Sequence, residues 1–348
     1  MEYWRLDAMR AEDLRVTKFD DPLHWGIPIR FRADLNPIGT PIRVESNSEA
    51  VIRVAQDNFG RYGRPCTGES PKFLMRVCVD PVHRTTPPWP RPSFRSLNHL
   101  FHIACGDSNF AIADLNTGAC IGFVTEAMVE DSSFFKSTFL DCLFYVLAVH
   151  HDYTPVHCSG IASGGRGVLI CGVSGTGKTT LAYACARSDL QVLSDDVVHL
   201  RIDPANNQLR LWGRPWCLRL SPEAADLFPE LRGLKPQLRS DHEWYLEIDV
   251  EKQFPGGAVV SCEPEALVFL ERHHDAASLL QPLDVDSALE RLLKDIHVSE
   301  APVIERHRQT LARLLQTKAY VLSYSGDPVN AVDVIRSILH SPNPQRLK

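Results

Sequence analysis

Residues Gly172-Val-Ser-Gly-Thr-Gly-Lys178-Thr179 fit G-x-x-x-x-G-K-[ST], the pattern of a phosphate-binding P-loop. Glycines in such a loop let the backbone bend until successive N–H groups point into one concavity. The helix that follows adds the partial positive charge of its N-terminus. Gly172, Ser174, Gly175, Thr176, Gly177, Lys178, Thr179 and Thr180 are therefore expected to cradle phosphate. Lys178 would reach the β/γ-phosphates, and the Thr179 hydroxyl would hold Mg²⁺. Further along come two adjacent carboxylates, Asp195 and Asp196. One could hold the metal while the other accepts a proton from an attacking hydroxyl. Sequence does not orient neighbouring side chains at a strand end, so the two roles can be exchanged. His157 lies upstream, on a strand expected to pair with the P-loop strand.

The flanking elements make the pattern more than a glycine-rich turn. The apolar run Val168-Leu169-Ile170-Cys171 reads as a strand, residues 180–186 as a helix and residues 191–193 as a second strand ending at the Asp pair. Strand–loop–helix–strand is a crossover unit. It brings the carboxyl ends of both strands to one sheet edge, where the phosphates would sit.

The rest of the sequence sets bounds. A chain of 348 residues makes one large domain or two ordinary ones, and 44% hydrophobic with 23% charged residues is a globular composition. A formal net charge of −6 offers no basic surface for nucleic acid. Ten cysteines without a C-x-x-C pair, together with a polar start at Met1-Glu-Tyr-Trp-Arg-Leu-Asp7, point to a reducing cytoplasm rather than a zinc site or an exported protein. The most apolar helix, at residues 134–149, carries Lys136 and Asp141 and is expected to be broken too soon to span a bilayer. Strands are expected at residues 27–31, 41–45, 73–79, 100–105, 110–115 and 119–124, the last three as an antiparallel meander. A helix is expected over 49–59, capped near Ser48 and stopped by Gly60. The expected fold class is α/β: a β-rich domain over residues 1–130, then a P-loop domain over 131–348. The second would hold further strands at 157–162, 209–212, 265–270 and 319–322, and helices at 286–296, 302–316 and 327–339. Residues 81–92 read as a proline-rich surface loop, and 232–257 as a charged stretch without clear assignment.

The histidine, the loop and the Asp pair together resemble the catalytic domain of the HPr kinase/phosphorylase family. Fifteen positions separate His157 from Gly172, and seventeen separate Lys178 from Asp195, as in that family. The segments Gly167-Val-Leu-Ile-Cys-Gly172 and Leu193-Ser-Asp-Asp-Val197 resemble its signatures. The match is good over 157–200 and weak over the rest of the second half; the first half does not resemble the receiver-like domain of those enzymes. The resemblance implies a kinase fold related to phosphoenolpyruvate carboxykinase, with ATP and Mg²⁺ as cofactors. It maps the proton acceptor onto Asp195, the metal ligand onto Asp196, and a histidine near the transferred phosphoryl group onto His157. The family's basic substrate-loop residue has three candidates here, Arg219, Lys235 and Arg239. The implied partners are ATP and a hydroxyl-bearing protein, peptide or small molecule other than HPr, with no nucleic acid or membrane; homo-oligomerisation is left open. The divergent serine kinases of peptide-modification pathways are the nearest parallel. A carboxykinase or phosphorylase would use the same parts on another acceptor, whereas an ATP-binding sensor would need no proton acceptor.

Overall fold

The computed structural model describes residues 27–63, 70–80, 86–203, 206–238, 244–272, 279–294, 300–324 and 327–340. It is a mixed α/β protein whose contacts fall into two compact units. One holds the chain up to Leu35 and Pro41–Cys142; the other holds Asn36–Thr40 and everything from Leu143 onward. The dividing point falls twelve residues later than residue 130, and a five-residue segment crosses over to the second unit.

In the first unit, period-two alternation makes the strands. β1 (Phe31–Leu35), β2 (Ile42–Ser46), β3 (Phe73–Asp80), β4 (Ser93–Leu97), β5 (Leu100–Cys105), β6 (Asn109–Asp114) and β7 (Ala119–Thr125) form one sheet in the order β1-β2-β3-β7-β6-β5-β4. The expected meander is present as β5–β6–β7, with Gly106 and Gly118 at positive φ in its turns. It is longer than expected by β4, which the prolines ahead of it conceal in the sequence. The first strand also begins later than residue 27; Pro28 has no N–H to give a ladder there. The helix Glu49–Phe59 covers the sheet with Val51, Ile52, Val54, Ala55 and Phe59. The α-helix ends at Phe59 with Gly60 as its C-cap, as expected, and a 3₁₀ turn carries the chain to Tyr62 before it leaves at Gly63, whose φ is 89°.

The helical run Ser132–His151 is long and apolar enough by composition to cross a membrane, and half of it is buried within the protein. Lys136 and Asp141 do not break it, contrary to expectation. Its middle winds as a π-helix, and buried Asp141 accepts a hydrogen bond from Asn58 at 2.7 Å.

The second unit is built on β8 (Thr154–Ser163), which changes partners along its length. Its first half pairs antiparallel with β11 (Val197–Ile202). Its second half lies between β9 (Arg166–Cys171) and β10 (Gln191–Ser194), antiparallel to both. From β11 the ladder passes through β12 (Leu209–Trp212) to β16 (Ser261–Arg272), and from β16 back to β9, which closes a ring of five strands. Leu169, Leu193, Val198, Leu211, Leu267 and Phe269 form one core here, with Leu292, Leu311 and Leu314 from the helices Val285–Leu293 and Ala301–Leu314. The opposite face packs Val168, Ile170 and Val268 against the helices Lys178–Ala186 and Val329–His340. β18 (Lys318–Tyr324) extends the sheet in parallel with β16, and β17 (Leu279–Pro282) closes that edge. The short strands β13 (Cys217–Leu220), β14 (Gln237–Leu238) and β15 (Trp244–Asp249) form a separate small sheet, much of it from the stretch the sequence left unassigned. The expected end of one helix at residue 296 and the candidate Arg239 lie outside the described residues.

Candidate functional site

β9 is buried from Gly167 to Cys171 and runs parallel to β16 in the middle of the sheet. A central parallel strand has no room for exposed side chains, so the functional groups begin where it ends. The loop leaving it has three glycines in the left-handed region: Gly172 at φ 154°, Gly175 at 82° and Gly177 at 92°. A Cβ at Gly172 would stand 2.8 Å from Thr176 Oγ1, and one at Gly177 would stand 2.7 Å from the Tyr324 hydroxyl. Val173, Ser174 and Gly175 face solvent. Gly177 caps the helix Lys178–Ala186, whose first turn carries Thr179 and Thr180. Lys178 is buried, and its ammonium donates to the carbonyls of Gly172 at 2.7 Å and Val173 at 3.2 Å.

β10 and β9 are both antiparallel to β8, so they are parallel to each other and end at the same edge, with β8 between them rather than in direct contact. Asp195 and Asp196 occupy the step from β10 to β11. Two serines pin that step: Ser159 donates to the Asp195 carbonyl at 2.6 Å, and Ser194 donates to Val197 O at 2.6 Å. The Cys158 N–H donates to the Asp196 carbonyl at 3.0 Å. In the register of β8, Cys158 faces Cys171 on one side and His157 faces Val197 on the other. His157 thus stands one residue beyond the end of β9, between the P-loop and the Asp pair. Its Nδ1 lies 3.1 Å from Asp196 Oδ1, an ion pair when the ring is protonated.

The two aspartates have unlike surroundings. The Asp196 side chain is 72% exposed. Asp195 Oδ1 is buried and lacks a hydrogen-bond partner among the described residues, while Oδ2 accepts the Arg219 N–H at 2.9 Å. Burial pushes the Asp195 carboxyl up to about 6; the Thr179 side chain beside it and the Arg219 N–H pull the other way, and the Asp196 charge adds to the rise. Thr179, in the first turn of the helix after the loop, stands beside Asp195. The structure therefore gathers Lys178, Thr179, Asp195, Asp196 and His157 at one sheet edge. Among the described residues no three His, Cys, Asp or Glu side chains form a metal cluster.

Of the two basic candidates among the described residues, Arg219 has a place at this edge, through its backbone amide on β13. Its guanidinium pairs with Glu247 at 3.3 Å and lies over the Tyr245 ring. Lys235 is exposed. Sequence reading missed Ser159 and Tyr324. Tyr324 ends β18 and packs its hydroxyl against Gly177. No local signal marks either residue, since each reaches the loop only through sheet register.

No family model and no curated protein matches this sequence. Among solved structures, the chain is similar to the Hpr(Ser) kinase/phosphatase from Coxiella burnetii, at 16% identity over 53% of this chain and 88% of that one, with a TM-score of 0.28. A likeness that distant assigns no activity to this chain.

Proposed function

We propose that the protein is an ATP-dependent kinase that transfers a phosphoryl group to a serine-type hydroxyl of a protein, peptide or small molecule in the cytoplasm. The observation that carries the reading is the meeting of P-loop and Asp pair at one edge, through Thr179 and Asp195. A sensor needs no proton acceptor, whereas Asp195 keeps Oδ1 without a hydrogen-bond partner among the described residues.

Each residue then has a role. The N–H groups from Gly172 to Thr180 and the Lys178 ammonium hold the phosphates, and Lys178 leaves its loop carbonyls to do so. Thr179 and the exposed Asp196 would hold Mg²⁺, which neutralises charge on the phosphates when bound. Asp195, fixed by the Arg219 amide, offers Oδ1 to the acceptor's hydroxyl proton. His157 places its ring beside Asp196, facing the transferred group.

The test compares Asp195→Asn with wild type for ATP·Mg²⁺ binding by calorimetry and for label transfer from [γ-³²P]ATP to hydroxyl-bearing acceptors. Binding is expected to persist while transfer falls by about 10²–10⁴-fold, the range of general-base help. Asp196→Asn is expected to shift the Mg²⁺ dependence instead. Transfer at the wild-type rate by both variants would overturn the roles given to the Asp pair, whereas ATP binding without transfer by the wild type to any acceptor would favour a nucleotide-dependent sensor.

A further inference from the structure

β4 is the terminal strand of the first unit's sheet. β5 pairs with one side of it, and no described residue pairs with the other. All five of its side chains are exposed, with Phe94 at 53% and Leu97 at 70%. Edge strands in folded proteins are ordinarily blunted by a proline, a bulge, a charge or a cover, because their unpaired N–H and C=O groups template further pairing. Between Ser93 and Leu97 the only such device is the charge on Arg95.

That charge selects rather than excludes. Antiparallel pairing with a second copy, centred on the strand, would set Arg95 against Arg95, an unfavourable like-charge pair. From Thr86 to Gly106 the sequence contains Arg91, Arg95, His99 and His102 and no Asp or Glu. Asp114, opposite Leu100 on β6, is the nearest carboxylate in the ladder. The two faces of the hairpin differ. Arg95 stands opposite His102 on one face. Phe94 stacks on Phe101 on the other, with ring centroids 6.3 Å apart.

We propose that β4 takes up an extended acidic segment of a partner peptide or protein by strand addition, with carboxylates beside Arg95 and apolar side chains beside Phe94. Main-chain hydrogen bonds would supply affinity, and the alternation of the two faces would supply selectivity. This surface is independent of the kinase reading and stands whether or not phosphate is transferred.

The probe is a fluorescein-labelled (Glu-Val)₄ peptide, whose alternation places its carboxylates on one face, titrated against the full chain by fluorescence polarisation. It is expected to bind at least about tenfold more tightly than (Lys-Val)₄ and than a (Glu-Val)₄ whose alternate amides are N-methylated, which keeps the charge but cannot add as a strand. Arg95→Glu is expected to reverse the preference between Glu and Lys peptides, and the milder Arg95→Gln to abolish it. Hydrogen exchange should slow at residues 93–97 with the probe bound. Equal binding of the N-methylated peptide, unchanged preference in both Arg95 variants, or concentration-dependent dimerisation lost in Arg95→Glu would each overturn the proposal.

Discussion

Asp195→Asn should make the nucleotide-free protein more stable at neutral pH. The Asp195 carboxyl is held at about 6 in the fold against 3.8 for an ordinary aspartate, with burial the largest cause. A rise of about two pH units corresponds to about 3 kcal/mol of differential interaction. Because this acid's pKa is raised on folding, the cost has a definite sign. Below pH 3.8 both states are protonated and nothing is lost. Between about pH 4 and 6 the unfolded chain ionises first and stability falls, and above about 6 the whole cost is present. Asparagine carries no charge and can still accept the Arg219 N–H. Its own amide hydrogens would enter the space at Oδ1 and cost about 1 kcal/mol if unpaired, leaving a net gain of about 2 kcal/mol. Urea unfolding in EDTA reads the unit that carries the site when Trp4, Trp25 and Trp89 are replaced by Phe in both proteins, so that the fluorescence comes from Trp212, Trp216 and Trp244. The gain should appear at pH 7.5 and vanish at pH 4. An equal effect at both pH values, or none at pH 7.5, would refute the claim that a charge is buried at Asp195 at neutral pH.

Three other outcomes are expected. His199, buried against Tyr145 with its pKa lowered to about 3 mainly by burial, stays neutral in the fold while the unfolded ring protonates. The His199 contribution to stability should therefore fall by about 2 kcal/mol between pH 7.5 and 5, and urea unfolding of wild type and His199→Phe should differ by that much more at pH 5 than at pH 7.5. Gly177→Ala should weaken ATP binding by roughly tenfold or more in calorimetry, because its Cβ meets the Tyr324 hydroxyl at positive φ. Tyr324→Phe should restore part of the loss, and full binding by Gly177→Ala alone would contradict the packing. A fragment beginning at Leu143 should be less stable by at least about 2 kcal/mol than one that retains residues 36–40, since the buried Tyr153 hydroxyl donates to Ile38 O at 2.6 Å and Arg201 donates to Gly39 O at 2.8 Å. Equal denaturant midpoints for the two fragments would count against that role.

Local pattern carried much of the architecture. The helix at 49–59, the turns at Gly106 and Gly118 and the strand–loop–helix at 168–186 all arise from interactions within a few residues, so propensity and periodicity reveal them. What escaped depends on partners distant in sequence. β13, β14 and β15 are short, and two of them sit in a charged stretch with little hydrophobic contrast. β4 is exposed on both faces and so has no alternation to read. The insertion of β8 between β9 and β10 was not legible either, because the crossover pattern fixes direction without fixing adjacency. At the site, the P-loop and the Asp pair were visible as residue types, and His157 through its spacing to them. The difference between Asp195 and Asp196 was not visible, because it comes from β13 arriving with the Arg219 amide and from burial at the step between two strands.

Calorimetric titration of wild type and Lys178→Ala with ATP·Mg²⁺ asks whether the loop from Gly172 to Thr179 binds the phosphates of ATP. Loss of a charge-assisted contact of about 1.5–3 kcal/mol predicts affinity lower by roughly ten- to a hundredfold, with the fold retained by circular dichroism. Equal affinity in the two proteins, or no ATP binding by wild type, would contradict it.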